Sequence, residues 1–178
     1  MIIVLAENQK KIIYLDRDGV INEDFGYVSK IENFKFVNGV FEACKEFLAL
    51  GYEIIIVTNQ SGIGRNYYSE DEFLELTKYM KNEFKKKDID ILNVYYCPHN
   101  PDDNCSCRKP KAGMILQSLN DFEINLNNSW LIGDKMSDIE CAKNGNIPNR
   151  ILISEDVVDG KDFLLAKSLL DSVKYITK

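Results

Sequence analysis

Five short apolar runs, at 12–15, 53–57, 92–96, 130–132 and 151–153, recur along this chain with helical patterns between most of them. Runs such as Ile12-Ile13-Tyr14-Leu15 and Ile54-Ile55-Ile56-Val57 are apolar almost throughout, where a half-buried strand would alternate apolar and polar residues. Strands of this kind, joined by helices, predict a parallel sheet with helices on both faces and right-handed crossovers, a Rossmann-like α/β architecture. Residues 40–50 carry apolar positions at helical spacing and stop at Gly51, which suits a helix C′ position. Ser69-Glu70-Asp71-Glu72 reads as a capping box opening a helix that runs to Phe84, with Phe73, Leu74, Leu76 and Met80 as its buried stripe. Ser137 is expected to cap a short helix closing at Gly145. Lys85-Lys86-Lys87 fits a solvated helix end facing the negative pole of the macrodipole.

With 178 residues, 45% of them hydrophobic, and no Pro-, Gly- or Ser-rich linker, the chain is expected to form a single domain over 1–178. No apolar run approaches the roughly 18 residues that span a bilayer, and residues 1–6 lack both a basic lead and a cleavage pattern. A cytoplasmic protein with no membrane partner is therefore expected. In that setting the five cysteines are read as reduced or metal-bound rather than disulfide-bonded. A net charge of −6 argues against nucleic acid as the main partner but leaves room for small phosphorylated ligands, which need only a few local cations.

In parallel α/β sheets the ligand site lies beyond the carboxyl ends of the strands, and the chemistry-bearing segments follow the apolar runs. The first is Asp16-Arg17-Asp18-Gly19-Val20-Ile21-Asn22, where two carboxylates leave one strand end together. One could attack phosphorus while the other handles the leaving group's proton, with a divalent cation offsetting their repulsion. The second is Thr58-Asn59-Gln60-Ser61-Gly62-Ile63-Gly64-Arg65, read as a loop whose hydroxyl, amides and backbone N–H groups wrap a phosphate. The third is Arg108-Lys109-Pro110-Lys111, three cations ahead of a helix, with Pro110 holding Lys109 extended so that its charge reaches the cleft. The fourth is Gly133-Asp134-Lys135-Met136-Ser137-Asp138. Helix capping accounts for Asp138, whereas Asp134 leaves an apolar strand where a hard cation such as Mg²⁺ finds oxygen ligands. More than twenty residues separate Asp16 from the helix at Val40, and this stretch, with Gly26-Tyr27 and a β-like 34–37, is expected to form a flap or hairpin over the cleft.

Cys97-Pro98-His99-Asn100-Pro101-Asp102-Asp103-Asn104-Cys105-Ser106-Cys107 holds the chain's one histidine and three of its five cysteines. The C-x-H and C-x-C pairs supply four ligands with tetrahedral capacity and no open position, so a structural Zn²⁺ on Cys97, His99, Cys105 and Cys107 is expected. Cys44 and Cys141 fall on helical patterns and read as core thiols.

Segments one to four, in this order, resemble the haloacid dehalogenase superfamily of phosphohydrolases, from about Ile12 over nearly the whole remaining chain. The resemblance implies Asp16 as a nucleophile that forms an aspartyl-phosphate and Asp18 as the acid/base. It implies Thr58 and Lys109 as holders of the phosphoryl oxygens. Mg²⁺ would sit on Asp16, Asp134 and the backbone carbonyl of Asp18, with Asp138 supporting from behind or through water. No large cap domain is expected, and a monomer is. Within the superfamily, C-P-H, C-x-C-R-K-P, T-N-Q-S-G-I and G-D-K are similar to the D-glycero-D-manno-heptose-1,7-bisphosphate 7-phosphatases, which serve bacterial surface-polysaccharide heptose. Histidinol-phosphatases share the zinc loop, but Asp16 to Asn22 with Asp24-Phe25-Gly26-Tyr27-Val28 looks more like the heptose group. That likeness implies substrate contacts from Asp24, Phe25, Gly26, Tyr27, Asn59, Gln60, Ser61, Arg108 and Lys135. A second phosphate on a small sugar would also suit Arg65. The competing readings are a histidinol-phosphate phosphatase, a polynucleotide 3′-phosphatase and a zinc-knuckle nucleic-acid-binding module. Residues 1–11 make a longer lead than this group usually has, and an edge strand or a partner contact is expected of them.

Overall fold

The computed structural model describes residues 9–156 and 162–176. The expectation for the lead therefore lies largely outside the described residues; of those that are described, Lys10 makes a parallel bridge to Ile124. Six strands, β1 (Ile12–Leu15), β2 (Glu53–Asn59), β3 (Ile91–Cys97), β4 (Trp130–Gly133), β5 (Asn149–Ile153) and β6 (Leu164–Ala166), form one sheet in the order β3-β2-β1-β4-β5-β6. Every pairing is parallel. Five of the strands sit where the apolar runs predict them. The three-residue β6, with Leu164 well exposed at the sheet edge, is too short and too one-sided to stand out in the sequence.

Alternate residues of the same strand feed two separate cores, which is why β1 and the middle of β2 are apolar throughout. Ile13, Leu15, Ile54 and Ile56 pack with α1 (Val40–Ala49), α3 (Glu70–Lys85) and α6 (Leu169–Ile176), through Val40, Phe47, Leu76, Met80, Phe84 and Leu169. Ile12, Tyr14, Ile55 and Val57 pack with α4 (Gly113–Asp121) and α5 (Met136–Asn144), through Met114, Ile115, Cys141 and Ala142. Cys44 and Cys141 are buried thiols in these two layers. Burying one such aliphatic side chain contributes about 1.5–3 kcal/mol, so the two layers together carry most of the hydrophobic drive.

Local signals also find their partners. Ser69 accepts from the Glu72 N–H (3.1 Å) while Glu72 accepts from the Ser69 N–H (2.7 Å), closing the capping box of α3. Leu74 departs from the expected stripe of that helix, being largely exposed; Phe84 takes its place among the buried residues. At α5 the cap is not Ser137. The helix begins at Met136, and the Asp138 carboxylate takes the Lys135 N–H at 3.0 Å, because an acid three residues into a helix reaches back to the unpaired donor.

Two expectations for the loops are corrected. The 17–39 stretch lays Asp24, Gly26 and Tyr27 along the cleft as the expected flap would, but it is not a hairpin: it makes one antiparallel bridge, Asn22 to Phe36, and a short 3₁₀ turn, Ile31–Asn33. Phe34 and Phe36 are drawn instead into a ring cluster with Phe41, Tyr79 and Phe84, so the segment folds down onto the sheet's helical layer. The segment after Thr58 is not an open loop: strand β2 runs on to Asn59, and one helical turn, α2 (Ser61–Gly64), follows. Its glycines answer to close packing, since a Cβ on Gly62 would stand 2.1 Å from the Tyr68 ring and one on Gly64 2.8 Å from the Pro98 carbonyl. Among the described residues no helix is long and apolar enough to cross a membrane, and no large cap interrupts the sheet.

Candidate active site

The chain runs outward from β1 to β3 on one side and resumes at β4 on the other, so the strand order switches direction between β1 and β4. Ligands in open α/β sheets bind at such a crevice beyond the carboxyl ends. There the Asp16 N–H donates to the Ile132 carbonyl (3.0 Å), carrying the β1–β4 contact one residue past the strand. Asp16 and Asp18 leave β1, Thr58 lies near the end of β2, and Asp134 follows β4.

Lys109, only 4% exposed, enters from the loop before α4. Its Nζ lies 2.8 Å from Asp16 Oδ1 and 2.6 Å from Asp138 Oδ1, and donates to the Val57 carbonyl at 2.8 Å. The peptide Lys109-Pro110 is cis. The backbone of Lys109 is fixed by Asn59, whose side chain donates to its carbonyl (3.1 Å) and accepts from its N–H (3.0 Å). Burial alone would push the ammonium pKa down, but the Asp16 and Asp138 carboxylates outweigh it and hold the charge on. Burial pushes the Asp16 carboxyl up to about 7; Lys109 pulls against that shift, while the neighbouring carboxylates Asp138 and Asp18 add to it.

Carboxylate oxygens of Asp16, Asp134 and Asp138 lie within 4.8 Å of one another. Asp134 Oδ1 is buried without a hydrogen-bond partner. A Cβ on Gly19, whose φ is +89°, would stand 2.2 Å from Asp134 Oδ2, so the Asp134 carboxylate is pressed against the turn that carries Asp18. Converging carboxylates with one orphaned buried oxygen fit a hard divalent cation, which would also lower the raised Asp16 pKa.

Asp18 is held by three groups. Arg17 donates to both its oxygens (2.9 Å from Nη2 to each, 3.2 Å from Nε to Oδ2), Asn22 donates to Oδ1 at 3.0 Å, and Gln60 donates to Oδ2 at 3.0 Å. The Gln60 amide also donates to Thr58 Oγ1 (2.8 Å) and accepts from the Tyr68 hydroxyl (2.6 Å). Beyond Asp18 opens a cleft of about 340 Å³ lined by Asp24, Gly26, Tyr27, Asn59, Gln60, Ser61, Tyr68, Arg108, Lys109, Lys135 and Ser137. Lys135 pairs with Asp24 at 3.0 Å across it. Phe25 and Arg65 stand outside this lining: Phe25 is 60% exposed under the Lys35 ammonium, and Arg65 faces solvent. Sequence reasoning passed over Arg17, Asn22, Tyr68 and Ser137. Arg17 and Asn22 lay within the first motif and could have been suspected, whereas Tyr68 carries no local signal.

At the far side of Lys109, the ligand atoms of Cys97, His99, Cys105 and Cys107 also lie within 4.8 Å of one another. Cys97 Sγ is 3.5 Å from Cys105 Sγ and 3.6 Å from His99 Nδ1, which is 3.2 Å from Cys107 Sγ. These separations are close to the edge of a tetrahedron with about 2.0–2.3 Å bonds, so the donor set fits Zn²⁺.

A buried carboxylate beside a buried lysine, a second carboxylate two residues on, and an acid at the neighbouring strand end meet at this crevice, the set that the resemblance to the haloacid dehalogenase phosphohydrolases implies. The model of the family described as polynucleotide kinase 3 phosphatase matches residues 11–149. The D-glycero-alpha-D-manno-heptose-1,7-bisphosphate 7-phosphatase of Campylobacter jejuni is 47% identical over 165 residues, 93% of this chain and 95% of that protein. The D-glycero-beta-D-manno-heptose-1,7-bisphosphate 7-phosphatase of Haemophilus influenzae is 41% identical over 170 residues, 92% of each. The crystal structure of D,D-heptose 1.7-bisphosphate phosphatase from B. bronchiseptica, complexed with magnesium and phosphate, superposes with a TM-score of 0.84 at 22% identity, covering 94% of this chain and 98% of that one. The chain belongs to this phosphatase family.

Proposed function

We propose that the protein removes the 7-phosphate of D-glycero-D-manno-heptose 1,7-bisphosphate through an aspartyl-phosphate on Asp16, with Mg²⁺ as cofactor and Zn²⁺ as a structural ion. The observation that carries this reading is Lys109, buried and shared between Asp16 and Asp138 at the floor of a cleft with Arg108 and Lys135 in its wall. An anionic nucleophile approaches a phosphate dianion only where cations offset the repulsion, and a fixed lysine does so without reorganising. Asp16, Asp134 and the carbonyl of Asp18 would hold Mg²⁺, which when bound neutralises charge on the transferring phosphoryl group; Asp138 holds Lys109 and caps α5. Thr58 and Lys109 orient the phosphoryl oxygens. An oxygen of Asp16 attacks phosphorus, the bond to the sugar oxygen breaks, and that oxygen takes a proton from Asp18. Asp18 then takes a proton from water, whose oxygen displaces the Asp16 carboxylate and releases inorganic phosphate. The sugar and its remaining phosphate lie toward Tyr27, Arg108 and Lys135.

The names of the relatives support a small sugar bisphosphate, and the acidic charge of −6 agrees with it. The description of the family model raises a polynucleotide 3′-phosphate as a competitor. Phosphate release is to be compared across heptose 1,7-bisphosphate, histidinol phosphate and a 3′-phosphorylated oligonucleotide, with and without Mg²⁺. A preference for the bisphosphate of at least about 100-fold in kcat/KM is expected, since losing one well-placed charge contact costs roughly that much. Asp16→Asn should be silent with every substrate. Equal or greater kcat/KM on the oligonucleotide would overturn the sugar reading.

A further inference from the structure

Arg17 is 1% exposed, and a guanidinium buried so completely needs a reason. It lies next to the residue assigned as nucleophile, yet is not itself part of the cleft lining, which its side chain meets through Asp18, and it makes no side-chain hydrogen bond to Asp16. Nε and Nη2 donate to Asp18, Nη2 reaching both carboxylate oxygens and also the Val28 carbonyl at 2.9 Å, while Nη1 is buried without a partner; the guanidinium carbon sits 5.7 Å over the Phe73 ring of α3. Asp18 is thus gripped at both oxygens by a group anchored to the helical layer, and Asn22 and Gln60 complete the grip. The carbonyl of Val28 belongs to the segment that carries Asp24, Gly26 and Tyr27 into the cleft.

The geometry points to Arg17 as a positioning residue: it sets the direction of the Asp18 carboxyl and ties it to the 24–28 segment, so that the proton donor and the substrate-facing loop are aligned as one unit. Fixing one carboxyl this way matters because proton transfer needs hydrogen-bond reach, and a correctly placed acid/base contributes about 10²–10⁴-fold. The inference rests on the reading of Asp18 as acid/base given above. It adds a residue that acts through Asp18, and a direction of dependence. Misaligning Asp18 slows steps that move a proton and spares steps that do not.

That dependence separates positioning from general damage. With p-nitrophenyl phosphate the aryl oxide departs without a proton, so transfer of phosphate to Asp16 proceeds without Asp18, whereas hydrolysis of the phosphoenzyme still needs water to be deprotonated. Arg17→Met removes the donors at similar volume. Its steady-state kcat should fall about 100-fold with both the aryl ester and heptose bisphosphate. Rapid-quench kinetics should show a burst of p-nitrophenol whose rate stays within a few-fold of wild type, with phosphoenzyme accumulating. Arg17→Lys keeps one donor and should recover part of the loss; it carries the test should the Met variant not fold, as checked by thermal melting. A burst rate that falls in step with kcat, or an unchanged kcat, would overturn the inference. Asp18→Asn, run alongside, guards the premise: if it too shows no separation of the two steps, the acid/base reading of Asp18 fails and the Arg17 assignment with it, whereas separation in Asp18→Asn alone counts against Arg17 only.

Discussion

Lys109 concentrates more of the physics of this site than any other residue. One ammonium offsets two buried carboxylates, so its removal acts on stability and catalysis together. In Lys109→Ala, Asp16 and Asp138 would stand buried and unpaired, at a cost of about 3–5 kcal/mol in urea unfolding. Turnover should fall at least about 100-fold while KM changes little, because its charge counts most when the phosphoryl group is in transit. A variant with intact kcat and raised KM would assign it a ground-state role instead. At this scale the sequence was informative about identity and silent about pairing. The four motifs name Asp16, Asp18, Asp134 and Lys109, but nothing in Arg108-Lys109-Pro110-Lys111 says that the second cation is buried between two acids while Lys111 turns outward to the Cys105 carbonyl and Asn104. Pairing across 93 residues is a product of topology, and a string does not display it. For the same reason nothing in the first motif marks Arg17, two residues before its glycine, as the clamp on both oxygens of Asp18.

Among the elements, α3 was the most legible, because its start is written locally in Ser69 and Glu72 and its buried face in Phe73, Leu76 and Met80. Ser69→Ala should cost about 1 kcal/mol in denaturant midpoint and leave kcat and KM unchanged, since the cap lies outside the cleft lining. A kinetic effect would mean that the turn between α2 and α3, where Tyr68 reaches Gln60, transmits the loss of the cap. Strands β1, β2, β4 and β5 were equally plain from unbroken apolar runs. What failed were elements whose cause is distant: β6, fixed by its neighbour β5, and the 17–39 segment, where a cluster of phenylalanines overrides the hairpin that its local pattern suggests.

Across the whole molecule, the Cys/His loop touches both walls of the cleft. The Gln60 N–H donates to the Cys97 carbonyl (2.8 Å) and the Gly64 N–H to the Pro98 carbonyl (2.8 Å), while Asn100 donates to the Gly64 carbonyl at 3.0 Å. Downstream, the Gly113 N–H donates to the Ser106 carbonyl (3.1 Å), which sets where Arg108 and Lys109 can lie. Stripping the proposed Zn²⁺ with a chelator should therefore lower the melting temperature and raise KM together, with both restored by added Zn²⁺. Unchanged kinetics in the metal-free protein would reduce the loop to a staple. The uniform direction of the six strands also divides the molecule into two ends of different tolerance. All the chemistry gathers where the strands finish, and the turns before β2, β3 and β5, at 50–52, 86–90 and 145–148, gather at the other end. That second end is where a fluorophore, an affinity tag or a surface tether could be attached to hold the enzyme with its cleft facing outward.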